Sequence, residues 1–187
     1  MGVEYCRFAK EARSSGEQDE LARVDVLANV LLQFLKDESD SIDALHVHGA
    51  QSSAIQEVVG SLLTEGLHFD SEVILTPSEG FVTRARPDFF YRLDTGRGIL
   101  AEVERGGTVN NNHDLKDVWK AHIAPDAQHL FLIVPNSNWN KDGTPREKPF
   151  TRVTSRLASF FGDPRREIDV TSIHVFGYGH STSGDLD

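Results

Sequence analysis

The chain has 187 residues, 39% of them hydrophobic, which is enough for one globular core and short for two. Its single cysteine, Cys6, excludes an internal disulfide framework and a cysteine-based zinc site, and no apolar run approaches the roughly 18 residues of a membrane span or forms a signal peptide, so a cytoplasmic protein is expected. A formal net charge of −10 speaks against a nucleic-acid partner unless the charge is unevenly spread.

The first twenty residues are polar and unpatterned. Over "ELARVDVLANVLLQFLKDES", Leu21, Val24, Leu27, Ala28, Leu31, Leu32 and Leu35 recur at helical spacing and predict an amphipathic helix. "DALHVHG" (43–49) is ambiguous. A second helix is expected over 52–66, capped by Ser52 or Ser53, striped by Ile55, Val58, Val59, Leu62 and Leu63, and stopped at Gly66. The period then becomes extended: "SEVILT" (71–76), "DFFYRL" (88–93) and "GILAEVE" (98–104) read as three strands, the last two joined by the turn "DTGRG". "HDLKDVWKAHI" (113–123) returns to helix with Leu115, Val118, Trp119 and Ile123 as its apolar face. "HLFLIVP" (129–135) is the continuous run of a central strand; a basic loop, a helix over about 151–161 and a last strand, "SIHVFGYG" (172–179), complete the chain. The order α, α, β, β, β, α, β, α, β indicates a mixed sheet flanked by helices in a single α/β domain.

Chemistry concentrates in "RPDFFYRLDTGRGILAEVERGG" (86–107). The two-residue strand period places Ile99, Ala101 and Val103 on one face and Leu100, Glu102 and Glu104 on the other. The two glutamates then lie roughly 7 Å apart, at about 3.3 Å per residue. If the two runs pair through "DTGRG", Asp88 lies near Glu102 or Glu104, because each is about equally far from the turn. Like charges at a partly desolvated edge need a cation or a shared proton. Three oxygen ligands with room for water and phosphate suit a hard Mg²⁺ ion. Glu-x-Glu on a strand is also common on plain solvated faces.

Pro87-Asp88 followed by Glu102-Val103-Glu104, set in a helix, three-strand, helix, strand order, resembles the PD-(D/E)xK superfamily of restriction enzymes, resolvases and repair nucleases. The resemblance covers about residues 52–135. It implies a restriction endonuclease-like fold with core order α-β-β-β-α-β, and Mg²⁺ (or Mn²⁺) held by Asp88, Glu102 and the carbonyl of Val103. Residues 1–50 would be an acidic helical extension, 51–135 the nuclease-like core, and 136–187 a basic loop, helix and final strand. The sequence departs from the pattern at Glu104, where the motif carries lysine. Either Glu104 orients the attacking water or a second ion, or the positive charge has moved to Lys116 or Lys120, four apart on the next helix; these lysines also fit a solvated helical face. Lys116 is taken for the catalytic role and Lys120 for nucleic-acid binding. Arg84 and Arg86 could grip phosphates, or offset the carboxylates.

Residues 1–72 hold 14 acidic against 5 basic side chains, a net of −9, whereas residues 139–167 hold 4 against 7, a net of +3. The acidity therefore belongs to the first third, and a local basic face is available to DNA. Glu57 turns away from its helix's apolar stripe and reads as solvated. His46 and His48 have zinc-like spacing without a third ligand. The glycine- and amide-rich "RGGTVNNNHD" (105–114) could meet a phosphate or act as a turn and helix cap. A Mg²⁺-dependent endonuclease acting on DNA, with a symmetric dimer supplying two sites for two strands, is the leading reading. A catalytically inactive nucleic-acid or protein binding module is the alternative, with Glu104 as its mark of decay.

Overall fold

The computed structural model describes residues 2–49, 52–75, 85–104, 108, 110–162 and 168–180. Its centre is a mixed sheet whose strands, in chain order, are β1 (Glu4–Ala9), β2 (Asp70–Ser71), β3 (Phe89–Asp94), β4 (Arg97–Val103), β5 (His129–Pro135) and, after a separate two-stranded ribbon of β6 (Asn138–Trp139) and β7 (Pro145–Glu147), β8 (Ser172–Tyr178). The spatial order is β1-β8-β5-β4-β3-β2. β4, β5 and β8 run parallel, and β1, β3 and β2 join antiparallel.

The alternation of side chains along these strands divides the molecule into layers. Ile99, Ala101, Val103, Phe131, Ile133, Phe176 and Tyr178 face one side and bury against α1 (Ser15–Asp37), α2 (Ser39–Leu45) and α3 (Ser52–Ser61). Leu100, Leu130, Leu132, Val134, Ile173 and Val175 face the other, against α4 (His113–Ile123) and α5 (Pro149–Gly162). The expected α/β class, with helices on both faces of a mixed sheet, is what the structure shows.

Several local expectations are corrected. The polar opening residues include β1, an edge strand only half-buried and therefore without a clean hydrophobic alternation. The first helix begins earlier than its apolar stripe suggests, because Ser14 accepts from the Glu17 N–H at 3.2 Å while Glu17 accepts from the Arg13 N–H, a reciprocal cap. The second helix ends in a π-helical turn, Leu62–Gly66, in which the Leu67 N–H reaches back to the Leu62 carbonyl. In place of the strand expected over 71–76, Asp70–Ser71 pairs along β3 and, among the described residues, one bridge between Leu75 and Ala85 follows; Glu72 adopts the left-handed conformation (φ 52°), which a continuing strand does not tolerate. The basic loop after β5 is the β6–β7 ribbon, whose root is held by His46 and His48, bonded to the carbonyls of Ser137 and Trp139 at 2.7 and 3.0 Å. The His-x-His pair is thus seated on backbone.

At the N-terminal ends of β5 and β8 a buried polar chain ties α1 to the sheet. Tyr5 meets His174 Nδ1 at 2.8 Å, His174 Nε2 meets Ser172, Ser172 meets His129 Nδ1 at 2.7 Å, and His129 Nε2 meets Glu20 at 2.8 Å, with Arg97 paired to Glu20. If both imidazoles are neutral and carry their proton on Nε2, every hydrogen in the chain has an acceptor. Burial, aided by the Arg7 charge, pushes His174 down to about 3. An unfolded histidine titrates near 6.5, so between that pH and about 3 the unfolded chain takes up a proton that native His174 refuses, and stability contributed by this residue is lost as pH falls. Accordingly, the drop in thermal midpoint caused by His174→Gln is expected to be largest at pH 7 to 8 and to shrink steadily toward pH 4; a pH-independent drop would contradict a buried neutral imidazole.

Candidate active site

The hairpin of β3 and β4 brings the two key carboxyls together by counting. Thr95 and Gly96 make the turn, Gly96 in the left-handed region its φ of 67° requires, and Phe89 pairs with Ala101, which sets Asp88 beside Glu102. The two are interlocked through backbone. The Val103 N–H donates to Asp88 Oδ2 at 3.0 Å, and the Asp88 N–H donates to Glu102 Oε2 at 3.3 Å. Asp88 is half-buried, whereas Glu102 is 3% exposed.

The other oxygen of Glu102 receives Lys120, whose Nζ lies 2.7 Å from Oε1 and 3.0 Å from Asp117 Oδ1. Both partners come from α4, which crosses this face of the sheet with Val118 and Ala121 buried. Lys116, one turn earlier, is exposed. The structure therefore brings Lys120, not Lys116, to the carboxylates. The sequence signal for Asp117 is its i, i+3 spacing to Lys120, which lets the two meet on one helix face.

One ammonium serves two buried carboxyls. Burial pushes Glu102 up to about 7, partly opposed by Lys120, and pushes Asp117 up to about 9, with Glu102 adding to the rise. Lys120 is held above its usual range by the two carboxylates, despite burial. With one positive charge between them, the two carboxyls hold a proton as well as the ammonium near neutral pH.

Glu104 does not join the pair. Its carboxylate accepts from His113 Nδ1 at 2.8 Å, and its backbone is clamped by the Tyr178 hydroxyl on its carbonyl and the Ile133 carbonyl on its N–H, each at 2.8 Å. The start of α4 is held a second time by Arg156, which reaches both oxygens of Asp114, a residue with no exposed surface. Arg86 is exposed and its guanidinium pairs with Glu72 at 2.6 Å. Arg84 lies outside the described residues, as do residues 105–107 of the glycine-rich loop.

Among the described residues no three Asp, Glu, His or Cys side chains converge as a metal cage, so the expected set of three carboxylates reduces to two. Two carboxylates and a backbone carbonyl nevertheless suit Mg²⁺, which takes one or two protein carboxylates and completes its shell with water and phosphate. Asp88, Glu102 and the Val103 carbonyl are an oxygen donor set of that kind.

No family model matches the chain, and no curated protein matches it by sequence. Among solved structures it is similar to restriction endonuclease BglII complexed with a DNA 16-mer, at a TM-score of 0.59 and 12% identity, over 100% of this chain and 82% of that one. The fold is restriction endonuclease-like. At this identity the likeness rests on the arrangement of the mixed sheet and its flanking helices and carries no residue roles.

The raised Glu102 has a measurable signature. A carboxyl whose native value lies near 7, against about 4.3 when unfolded, stabilises fully below the lower value and loses that contribution as pH rises through 7. Glu102→Gln is therefore expected to gain in thermal midpoint relative to wild type between pH 5 and pH 9. A difference that stays flat over that range would show that Glu102 is ionised throughout.

Proposed function

We propose that the protein is a divalent-metal-dependent nuclease that hydrolyses phosphodiester bonds in DNA, working in the cytoplasm on a defence, repair or mobile-element substrate. The observation that carries this reading is the interlocked Asp88–Glu102 pair on adjoining strands, with the Lys120 ammonium 2.7 Å from Glu102. The likeness in fold to an endonuclease that has been seen with DNA supports it.

In this reading Asp88, Glu102 and the Val103 carbonyl hold Mg²⁺ or Mn²⁺. The ion's chemistry is to lower the pKa of a bound water and offset charge on the scissile phosphate. The protein supplies placement and charge. Asp88 is aimed by the Val103 N–H and Glu102 by the Asp88 N–H, so backbone groups of the hairpin orient both carboxylates. Lys120 takes over the cationic role that the resembled motif gives to a strand lysine, which leaves Glu104 free to anchor His113 and the start of α4. Arg84 and Arg86, at the entrance to β3, are proposed phosphate contacts. The β6–β7 ribbon and the start of α5 add Lys141, Arg146 and Arg152, all exposed. A symmetric dimer would present two such sites to the two strands of a duplex.

Supercoiled and linear DNA incubated with Mg²⁺ or Mn²⁺ test this directly. Wild type is expected to cut, Asp88→Ala and Glu102→Ala to fall to background, and Lys120→Ala to lose about a hundredfold or more, as for removal of a group stabilising transition-state charge. Lys116→Ala should retain most of its activity. Cleavage that survives Asp88→Ala and Glu102→Ala would remove the assignment, and absence of any cleavage or metal binding would favour the non-catalytic binding module.

A further inference from the structure

Asp117 is a residue that packing alone does not explain. Its side chain is 2% exposed, on a helix face where an apolar residue would satisfy the core formed by Val118 and Ala121 on α4 and Leu130 and Leu132 on the sheet. One oxygen, Oδ1, lies 3.0 Å from Lys120 Nζ. The other, Oδ2, is buried without a hydrogen-bond partner among the described residues. Buried acceptors are ordinarily satisfied, and an exception asks for a reason.

Lys120 supplies one. Its ammonium has three donors, and it occupies the Glu102 oxygen that a divalent ion would also seek. An ion binding at Asp88 and Glu102 must compete with that ammonium, and an ammonium displaced inside the protein without a partner would be strongly unfavourable. We propose that Asp117 is the second seat of Lys120: a positioning residue that keeps the ammonium when a divalent ion takes Glu102, so that ion and lysine exchange on one carboxylate. The unsatisfied Oδ2, its proton displaced as the ion's charge arrives, is then an acceptor that the retained ammonium, no longer shared with Glu102, can use. This inference rests on the metal-site reading above.

A double-mutant cycle measured by calorimetric titration of Mn²⁺ into the full chain tests it, independently of DNA cleavage. Lys120→Met removes the competitor and should tighten Mn²⁺ binding. Asp117→Asn, nearly isosteric, strands Lys120 on Glu102 and should weaken binding about tenfold, whereas in the Lys120→Met background the same change should alter affinity less than about twofold. Thermal unfolding of each variant, with Asp117→Ser as a second replacement, separates these shifts from loss of fold. An equal effect of Asp117→Asn in both backgrounds would overturn the proposal and make Asp117 a direct electrostatic contributor to the ion; no effect in either would overturn it by making Asp117 structural. Both results leave the metal-site reading standing. Failure of wild type and Lys120→Met to bind Mn²⁺ at all would overturn both.

Discussion

The Lys120 ammonium, held between Glu102 and Asp117, is the interaction around which the site is organised. Two carboxyls that are 3% and 2% exposed cannot share a dry edge of the sheet as two bare charges, because removing an ion from water costs several kcal/mol or more. Their positions therefore require a cation from somewhere. The strand supplies none, since Glu104 adds a further carboxylate, and the cation comes instead from the helix that follows. That makes α4 part of the carboxylate cluster as well as of the packing. Its start is fixed by Arg156 on Asp114 and by Glu104 on His113, and its middle by Val118 and Ala121 in the core. Glu104, read from the sequence as a departure from the motif, has work in holding the helix that brings Lys120.

The sheet also separates charge. The surplus of acidic residues in 1–72 belongs to α1, α2 and α3 with β1 and β2, while α4, α5 and the β6–β7 ribbon lie on the other face or beyond the end of β5. Net charge alone hides this division. A chain with a formal −10 can thus still present Lys141, Arg146 and Arg152 to solvent. The buried Tyr5–His174–Ser172–His129–Glu20 chain fastens the acidic layer at the opposite end of the parallel strands, away from Asp88 and Glu102.

Much of this was legible in the sequence wherever one physical rule acted alone. The alternation in "GILAEVE" assigned Leu100, Glu102 and Glu104 to one face, and equal distance from the "DTGRG" turn put Asp88 next to Glu102 or Glu104, between which the register of the hairpin chooses Glu102. The apolar runs at β5 and β8 revealed buried strands. Legibility ended where several placements satisfied the same rule. Lys116 and Lys120 are four apart, so helical periodicity could not choose between them; the choice depends on how α4 is rotated against the sheet. That rotation leaves Trp119, an expected core residue, 58% exposed, and turns Asp114 and Asp117 inward. Hydrophobic patterning cannot see a buried aspartate, since its place is set by a partner distant in sequence or along the helix. The edge strand β1 and the short β6–β7 ribbon escaped because neither has a face buried enough to impose a period on its residues.

The assignment of the site requires that Asp88 and Glu102 share a divalent ion. Crystals grown in Mn²⁺ and measured for anomalous scattering at the manganese edge would decide it most directly. The expected result is a manganese peak bridging the two carboxylates, within coordination distance of the Val103 carbonyl, with Lys120 seated on Asp117. Manganese absent from that position, with Lys120 still on Glu102, would contradict the account and leave the carboxylates as a structural ion-pair network.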